Sequence, residues 1–157
     1  MRRIGMVVVL MLSAAAAATA ADRLDVEKAR LERNKQTVIA FYTMTVNDHD
    51  PEGAVKRYVG AEYRQHNPFA RDGKEAFIAF FKDRFQRDPK ARMEIKRVVA
   101  EGDFVVVHVH HLDSGGGKGR ATMDWFRLDP DGRIVEHWDV GQPVPPDSEV
   151  KNRNTMF

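Results

Sequence analysis

The stretch DWFRLDPDGRIVEHWDV, residues 124–140, reads as two extended runs hinged on a turn. Trp125, Phe126 and Leu128 on one side and Ile134, Val135, Trp138 and Val140 on the other are β-branched or large apolar residues. Asp129-Pro130-Asp131-Gly132 between them is turn chemistry. A connection this short makes the flanking strands antiparallel neighbours. Working outward, Met93 to Ala100, Phe104 to Leu112, Arg120 to Leu128 and Arg133 to Gly141 are four strand runs. Glu101-Gly102-Asp103 and a glycine-rich loop separate the first three.

Upstream the period changes to that of helices. From about Leu24 to Val46 the chain is charged early and apolar late, and Val38, Ile39, Phe41, Tyr42 and Val46 form a stripe. Asp50 before Pro51 predicts a capped short helix from Pro51 to about Tyr58, closed near Gly60. Tyr63 to Asn67 reads as extended, because Asn67 precedes Pro68. Asp72 with Glu75 three residues later predicts a capping box for a third helix, whose buried stripe is Phe77, Ile78, Phe81 and Phe85. Residues 142–157 carry three prolines and are expected to wrap over the surface. The expected fold class is α+β: three N-terminal helices packed on a curved antiparallel sheet, forming a cone with an internal pocket.

The chain opens with Met1-Arg2-Arg3, an apolar block from Ile4 to Leu12, and an alanine tract closing at Ala18-Thr19-Ala20. This pattern predicts a secretory signal peptide over 1–21, followed by a single domain over 22–157 with an extended tail from about 142. The apolar part is about half the roughly 20 residues of a spanning helix. The mature chain is therefore expected in the periplasm or secreted, with no membrane association after cleavage. Lys and Arg total 25 against 23 Asp and Glu. Removing Arg2 and Arg3 levels the count, so the sequence pI ≈ 9.0 does not argue for a nucleic-acid partner. No cysteine is present, which excludes disulfides and a thiol nucleophile.

The element order and the 124–140 run resemble the nuclear transport factor 2-like superfamily. Within it they are most similar to the SnoaL-like polyketide cyclases and ketosteroid isomerases, over about Asn34 to Gly141. GRIVEHWDV and the terminal NTMF look closest to a bacterial branch described as SnoaL-like aldol-condensation enzymes. The resemblance implies an oxyanion-hole tyrosine late in the first helix, matched by Tyr42 in AFYTM. It also implies a protonated aspartate in the strand before the last hairpin, a place that Asp124 occupies. The general-base aspartate of the isomerases precedes a Pro-Phe pair. Here that run is His66-Asn67-Pro68-Phe69, so Asn67 stands in the base position and cannot take a proton at neutral pH.

Alternation along the strands proposes the remaining site residues. If Asp124 faces the cone, Thr122 and Arg120 share its side, and the next strand turns His137 and Asp139 inward. In Val105-Val106-Val107-His108-Val109-His110-His111, His108 and His110 share a face. They are expected in the cavity, with Val107, Val109 and His111 on the packed side. The expected activity is cofactor-independent proton abstraction next to a carbonyl, of the aldol-condensation or cyclisation type, on a small apolar substrate. Asp139 or His66 is the base, Tyr42 with a histidine such as His137 supplies donors, and Asp124 is the orienting partner or acid. His108, His110, Asn67, Thr122 and Arg120 are expected to bind substrate. No glycine-rich dinucleotide or phosphate fingerprint follows a strand, so no organic cofactor is expected. Two alternatives stand beside this reading. One is a metal centre on His108, His110 and His137, with Asp124 or His66 completing it. The other is a non-catalytic ligand-binding or dimerising module using Trp125, Trp138 and the valine face; a homodimer is expected in either case.

Overall fold

The computed structural model describes the backbone from Ile4 and the side chains from Thr19 to Phe157. The signal-peptide expectation falls, up to residue 18, outside the residues with described side chains. No helix among the described residues is long and apolar enough to cross a membrane.

Helix α1 (Ile4–Tyr42) passes into a π-helical turn over Thr43–Asn47, closed by Asp48 N–H donating to the Thr43 carbonyl at 3.1 Å. The sequence reading carried one α-helix through Val46. The wider turn instead begins directly after Tyr42, and such insertions favour functional positions. Asn47 then fastens this end to the sheet: its Nδ2 donates to the Met93 carbonyl and its Oδ1 accepts from Met93 N–H. Helix α2 (Pro51–Tyr58) starts as expected, with Asp50 Oδ1 accepting from Gly53 N–H at 2.8 Å. Strand β1 (Val59–Gln65) follows, and then α3 (Lys74–Arg87). Asp72 does not cap α3. Its Oδ1 accepts from Gln65 N–H at 2.7 Å, tying the loop back to β1, and Gly73 takes the cap position at φ 94, where a side chain is disfavoured.

Strands β2 (Arg92–Glu101), β3 (Phe104–Leu112), β4 (Arg120–Leu128) and β5 (Ile134–Pro143) form an antiparallel meander. The sheet order is β1-β5-β4-β3-β2, and β1 runs parallel to β5. The expectation of a wholly antiparallel sheet is corrected here. β1 enters before α3 and pairs with the last strand of the meander, and everything between them serves as the long crossover that a parallel pair needs.

All three helices lie on one face of this curved five-stranded sheet. Val38 and Phe41 of α1, Phe77 and Phe81 of α3, and Val105, Val107, Val109, Phe126, Leu128 and Ile134 of the strands make one buried cluster. Phe41 stacks on Phe77 at 5.3 Å and meets Phe126 edge-on at 6.0 Å. Burying each such side chain contributes about 1.5–3 kcal/mol. That cluster also fixes the orientation of β3. Val107 lies opposite Asp124 and Val109 opposite Thr122, whereas His108 lies opposite Met123 and His110 opposite Ala121. His108 and His110 therefore project from the outer face, and His111 shares the inner face with the valines. The expected assignment is reversed because the packed side and the cavity side are one face: helices cover only that side, so valines and pocket groups share it.

Candidate active site

β5 carries an irregularity that sets its phase. Arg127 pairs with Glu136 but Leu128 pairs with Ile134, leaving Val135 as the extra residue. His137 and Asp139 consequently face inward, opposite Phe126 and Asp124 respectively, as alternation predicted. Along β1 and its extension Tyr63, Gln65 and Asn67 point the same way. α1 delivers Tyr42 from above.

These residues form one hydrogen-bonded network around Asp124, which is 3% exposed. Tyr42 O–H donates to Asp124 Oδ1 at 2.6 Å and Thr122 O–H donates to Oδ2 at 2.6 Å. His137 Nε2 lies 3.2 Å from Oδ1, and 3.4 Å from the Tyr42 hydroxyl. On the other side of the ring, His137 Nδ1 lies 3.0 Å from Gln65 Oε1. That oxygen also accepts from Asn67 N–H at 2.9 Å, which identifies it as oxygen rather than nitrogen. Both ring nitrogens of His137 thus lie within hydrogen-bond reach of side-chain oxygens. Burial pushes the Asp124 carboxyl up, but hydrogen bonds from His137, Thr122 and Tyr42 outweigh it and hold the group below the ordinary carboxylate range. In this geometry the Asp124 carboxylate accepts from Tyr42 and Thr122. Burial, with Asp124 beside it, raises Tyr42 well above the ordinary phenol range, so its hydroxyl keeps its proton.

Asp139 stands at the edge of the network. Asn67 Nδ2 donates to both its oxygens, at 2.8 and 3.0 Å, while Asn67 Oδ1 accepts from Phe69 N–H at 2.8 Å. Asn67 therefore holds a carboxylate contributed by another strand. Asp139 is half-buried, and it also borders a cavity of about 400 Å³ with His66, Phe104, Trp125, Trp138 and Val140. That cavity opens on the outer face, away from Asp124; Asp139 is common to both.

His66 does not join the site. It projects outward beside Arg64, stacked on Trp138 at 4.5 Å, with Nε2 2.7 Å from Glu136 Oε1; Arg127 Nε donates to the other Glu136 oxygen at 2.7 Å. The expected base at His66 is corrected on this ground: alternation along 63–67 sends odd residues in and even ones out. His108 and His110 are likewise outside the cone, under the Phe157 ring at 5.5 and 4.1 Å. The proposed metal set of His108, His110 and His137 is split between the two faces, and no group of three His, Asp or Glu side chains among the described residues is placed to hold an ion. Arg120 begins β4 on the inner face, with Nη2 donating to the Gly141 carbonyl at 2.6 Å.

Three inner residues escaped the sequence reading. Tyr63 is 4% exposed, its ring stacked over His137 at 6.4 Å, and its hydroxyl makes no close hydrogen bond among the described residues, with the Gln65 side chain near it. Burial, with Asp124 and Asp139 nearby, raises it far above the ordinary phenol range. Gln65 and His111 are the others. The period-two rule already applied to the meander would have found Tyr63 and Gln65, had it been extended to 63–67.

The model of the SnoaL-like domain matches residues 38–137, which span the π turn and the residues bonded around Asp124, and end two residues before Asp139. A search of curated proteins finds no match. Similar solved structures include TsrD from Streptomyces laurentii, at 22% identity and TM-score 0.56 over 69% of this chain and 87% of that one. A SnoaL-like protein of unknown function from Burkholderia thailandensis has 22% identity and TM-score 0.56, covering 69% and 95%. A candidate polyketide cyclase from Bacillus cereus has 18% identity and TM-score 0.60, covering 69% and 74%. At these identities the structures speak for the shared fold of helices on a curved sheet. With its match spanning well over half of its length and ending on the network histidine, this chain belongs to the SnoaL-like domain family.

Proposed function

We propose that this protein is an exported cyclase or isomerase that removes a proton next to a carbonyl without an organic cofactor. The observation that carries this reading is the meeting of a half-exposed carboxylate, Asp139, with a buried donor array on the same face of two adjacent strands. Asp139, steadied by Asn67, takes the α-proton. The electrons of that C–H bond move into the carbonyl, and the resulting oxyanion is met by the hydroxyl of Tyr63, while the Tyr42 proton stays on its bond to Asp124. The Tyr63 hydroxyl makes no close hydrogen bond among the described residues, and the Gln65 side chain lies near it. Asp124, held by Thr122 and 3.2 Å from His137 Nε2, fixes Tyr42. In an isomerisation the proton returns to another carbon; in an aldol cyclisation the α-carbon attacks a second carbonyl, whose oxygen collects the proton. The substrate is a small carbonyl compound with an apolar body.

The test is α-hydrogen exchange in D₂O, followed by NMR over a panel of enolisable ketones. Wild-type protein is expected to exchange at least one of them, and Asp139→Asn to lose about 10²-fold or more of that rate, the usual contribution of a positioned base. An exchange rate unchanged in D139N refutes the assignment.

We further propose that the outer face pairs two copies of the chain. Trp125, Met123 and Val140 are 47%, 38% and 69% exposed there, beside Phe104 and Trp138. Sedimentation of wild-type protein as a dimer and of Trp125→Glu as a monomer is the expected result; equal masses for both refute it. Export through cleavage near residue 21 is proposed on the N-terminal pattern and is read directly from the mass of the protein recovered outside the cytoplasm.

A further inference from the structure

The inner face of the sheet carries more positive charge than its own acids use. On α3 the buried stripe Phe77 and Phe81 continues one turn later into Arg84, a partly buried residue. Its guanidinium makes no ion pair or side-chain hydrogen bond among the described residues. Arg120, on the inner face of β4, has the Gly141 carbonyl as its only hydrogen-bond partner among the described residues. His111 lies directly opposite Arg120 in the register, and its Nδ1 is buried without a partner.

The carboxylates of this face are already engaged. Asp124 receives Tyr42, Thr122 and His137, and both oxygens of Asp139 receive Asn67. Asp88, one turn beyond Arg84, accepts from Ser114 at 2.5 Å and from Lys90 N–H at 3.1 Å. A partly buried guanidinium without an acid partner is costly unless an anion arrives from outside. Burial holds the His111 ring at about 4, Asp124 opposing this, with Arg84, Arg120 and His110 lowering it further. The ring is neutral at pH 7 and able to hydrogen-bond a ligand without adding charge. Burial also lowers Arg84, with Asp88 only partly offsetting it.

From Arg84, Arg120 and His111 we infer that the substrate carries a carboxylate at the end of its apolar body remote from the reacting carbonyl. The inference rests on the reading of the Asp139 and Tyr42 region as the reaction site, and names the substrate class for it. Two planar guanidinium groups suit the planar carboxylate. Arg120 is four residues from Asp124 along β4, about 13 Å at 3.3 Å per residue. The two ends of the substrate are then separated by several methylenes, as in a medium-chain keto acid and not in a 2-keto or 3-keto acid.

The experiment compares straight-chain methyl-ketone acids of six to nine carbons with their methyl esters, by calorimetry at neutral pH on the full chain, alongside deuterium exchange of the same compounds. The acids are expected to bind at least 10-fold more tightly than the esters. Arg84→Gln and Arg120→Gln are each expected to reduce that preference to under 3-fold, and D139N to leave it in place. Arg120 lies at the exposed start of its strand, so R120Q keeps the test available should R84Q fail to fold. Esters binding as tightly as acids, or a preference untouched by either arginine change, overturns the inference. Arginine-dependent acid binding without exchange refutes the proposed activity and supports this site; equal exchange of acids and esters does the reverse.

Discussion

Replacing His111 by glutamine removes a proton site that the fold suppresses, and its effect on acid stability can be worked from the structure. The ring is held at about 4 against an ordinary value of 6.5, chiefly by burial. The folded state keeps it neutral, whereas the unfolded chain takes up a proton once the pH falls below 6.5. The group's contribution is therefore complete above pH 6.5 and is lost as pH falls toward 4, up to one proton or about 1.4 kcal/mol per pH unit. A depression of this size corresponds to about 3 kcal/mol across the whole window. His111→Gln keeps a polar side chain on the strand but does not titrate. Urea unfolding of both proteins at neutral pH and near pH 4.5 isolates the term, because Asp124 and the other carboxylates are common to both. The wild type is expected to lose about 2 kcal/mol more than H111Q between the two conditions. Parallel losses, within about 0.5 kcal/mol, would refute the buried neutral ring.

Tyr42→Phe removes the hydroxyl that donates to Asp124 Oδ1. Loss of a buried hydrogen bond to a charged group costs about 1.5–3 kcal/mol, readable as a lowered urea midpoint at constant slope. That difference is expected to shrink on acidification, since Asp124 is held below its ordinary range partly by this bond and the wild type loses the contribution as pH falls through the folded value. Asn67→Ala frees Asp139 from its clamp. The exchange rate is expected to fall about 10-fold with the fold intact by circular dichroism, as for other loss of positioning; unchanged exchange in N67A removes Asn67 from the mechanism.

The elements themselves were legible in the sequence because each rests on local chemistry. Asp50-Pro51 starts α2 through a side-chain cap and a fixed φ, and Asp129 to Gly132 turns β4 into β5 through the side-chain acceptor Asp129 Oδ1 and a glycine at φ 77. Neither feature needs a distant partner. Asp72 marks the limit: its pattern matched a capping box, but a closer unsatisfied donor, Gln65 N–H, claimed its carboxylate.

Alternation placed Asp124, Thr122, His137 and Asp139 on one face because period two is a property of the strand itself, and the irregularity at Val135 happens to preserve it for His137 and Asp139. Which face looks inward is not a property of any strand. It was decided by where the helices lie, and they lie on the valine side, sending His108 and His110 out and bringing His111 in. The parallel pairing of β1 with β5 is of the same kind, since it joins segments some 70 residues apart and aligns Gln65 with His137. The sequence by itself determined the strands, the turns and the company Asp124 keeps along β4. Only the tertiary structure chose the covered side and closed the ring of donors around that carboxylate, because burial and long-range pairing are set by what packs against a segment and not by the segment's own residues.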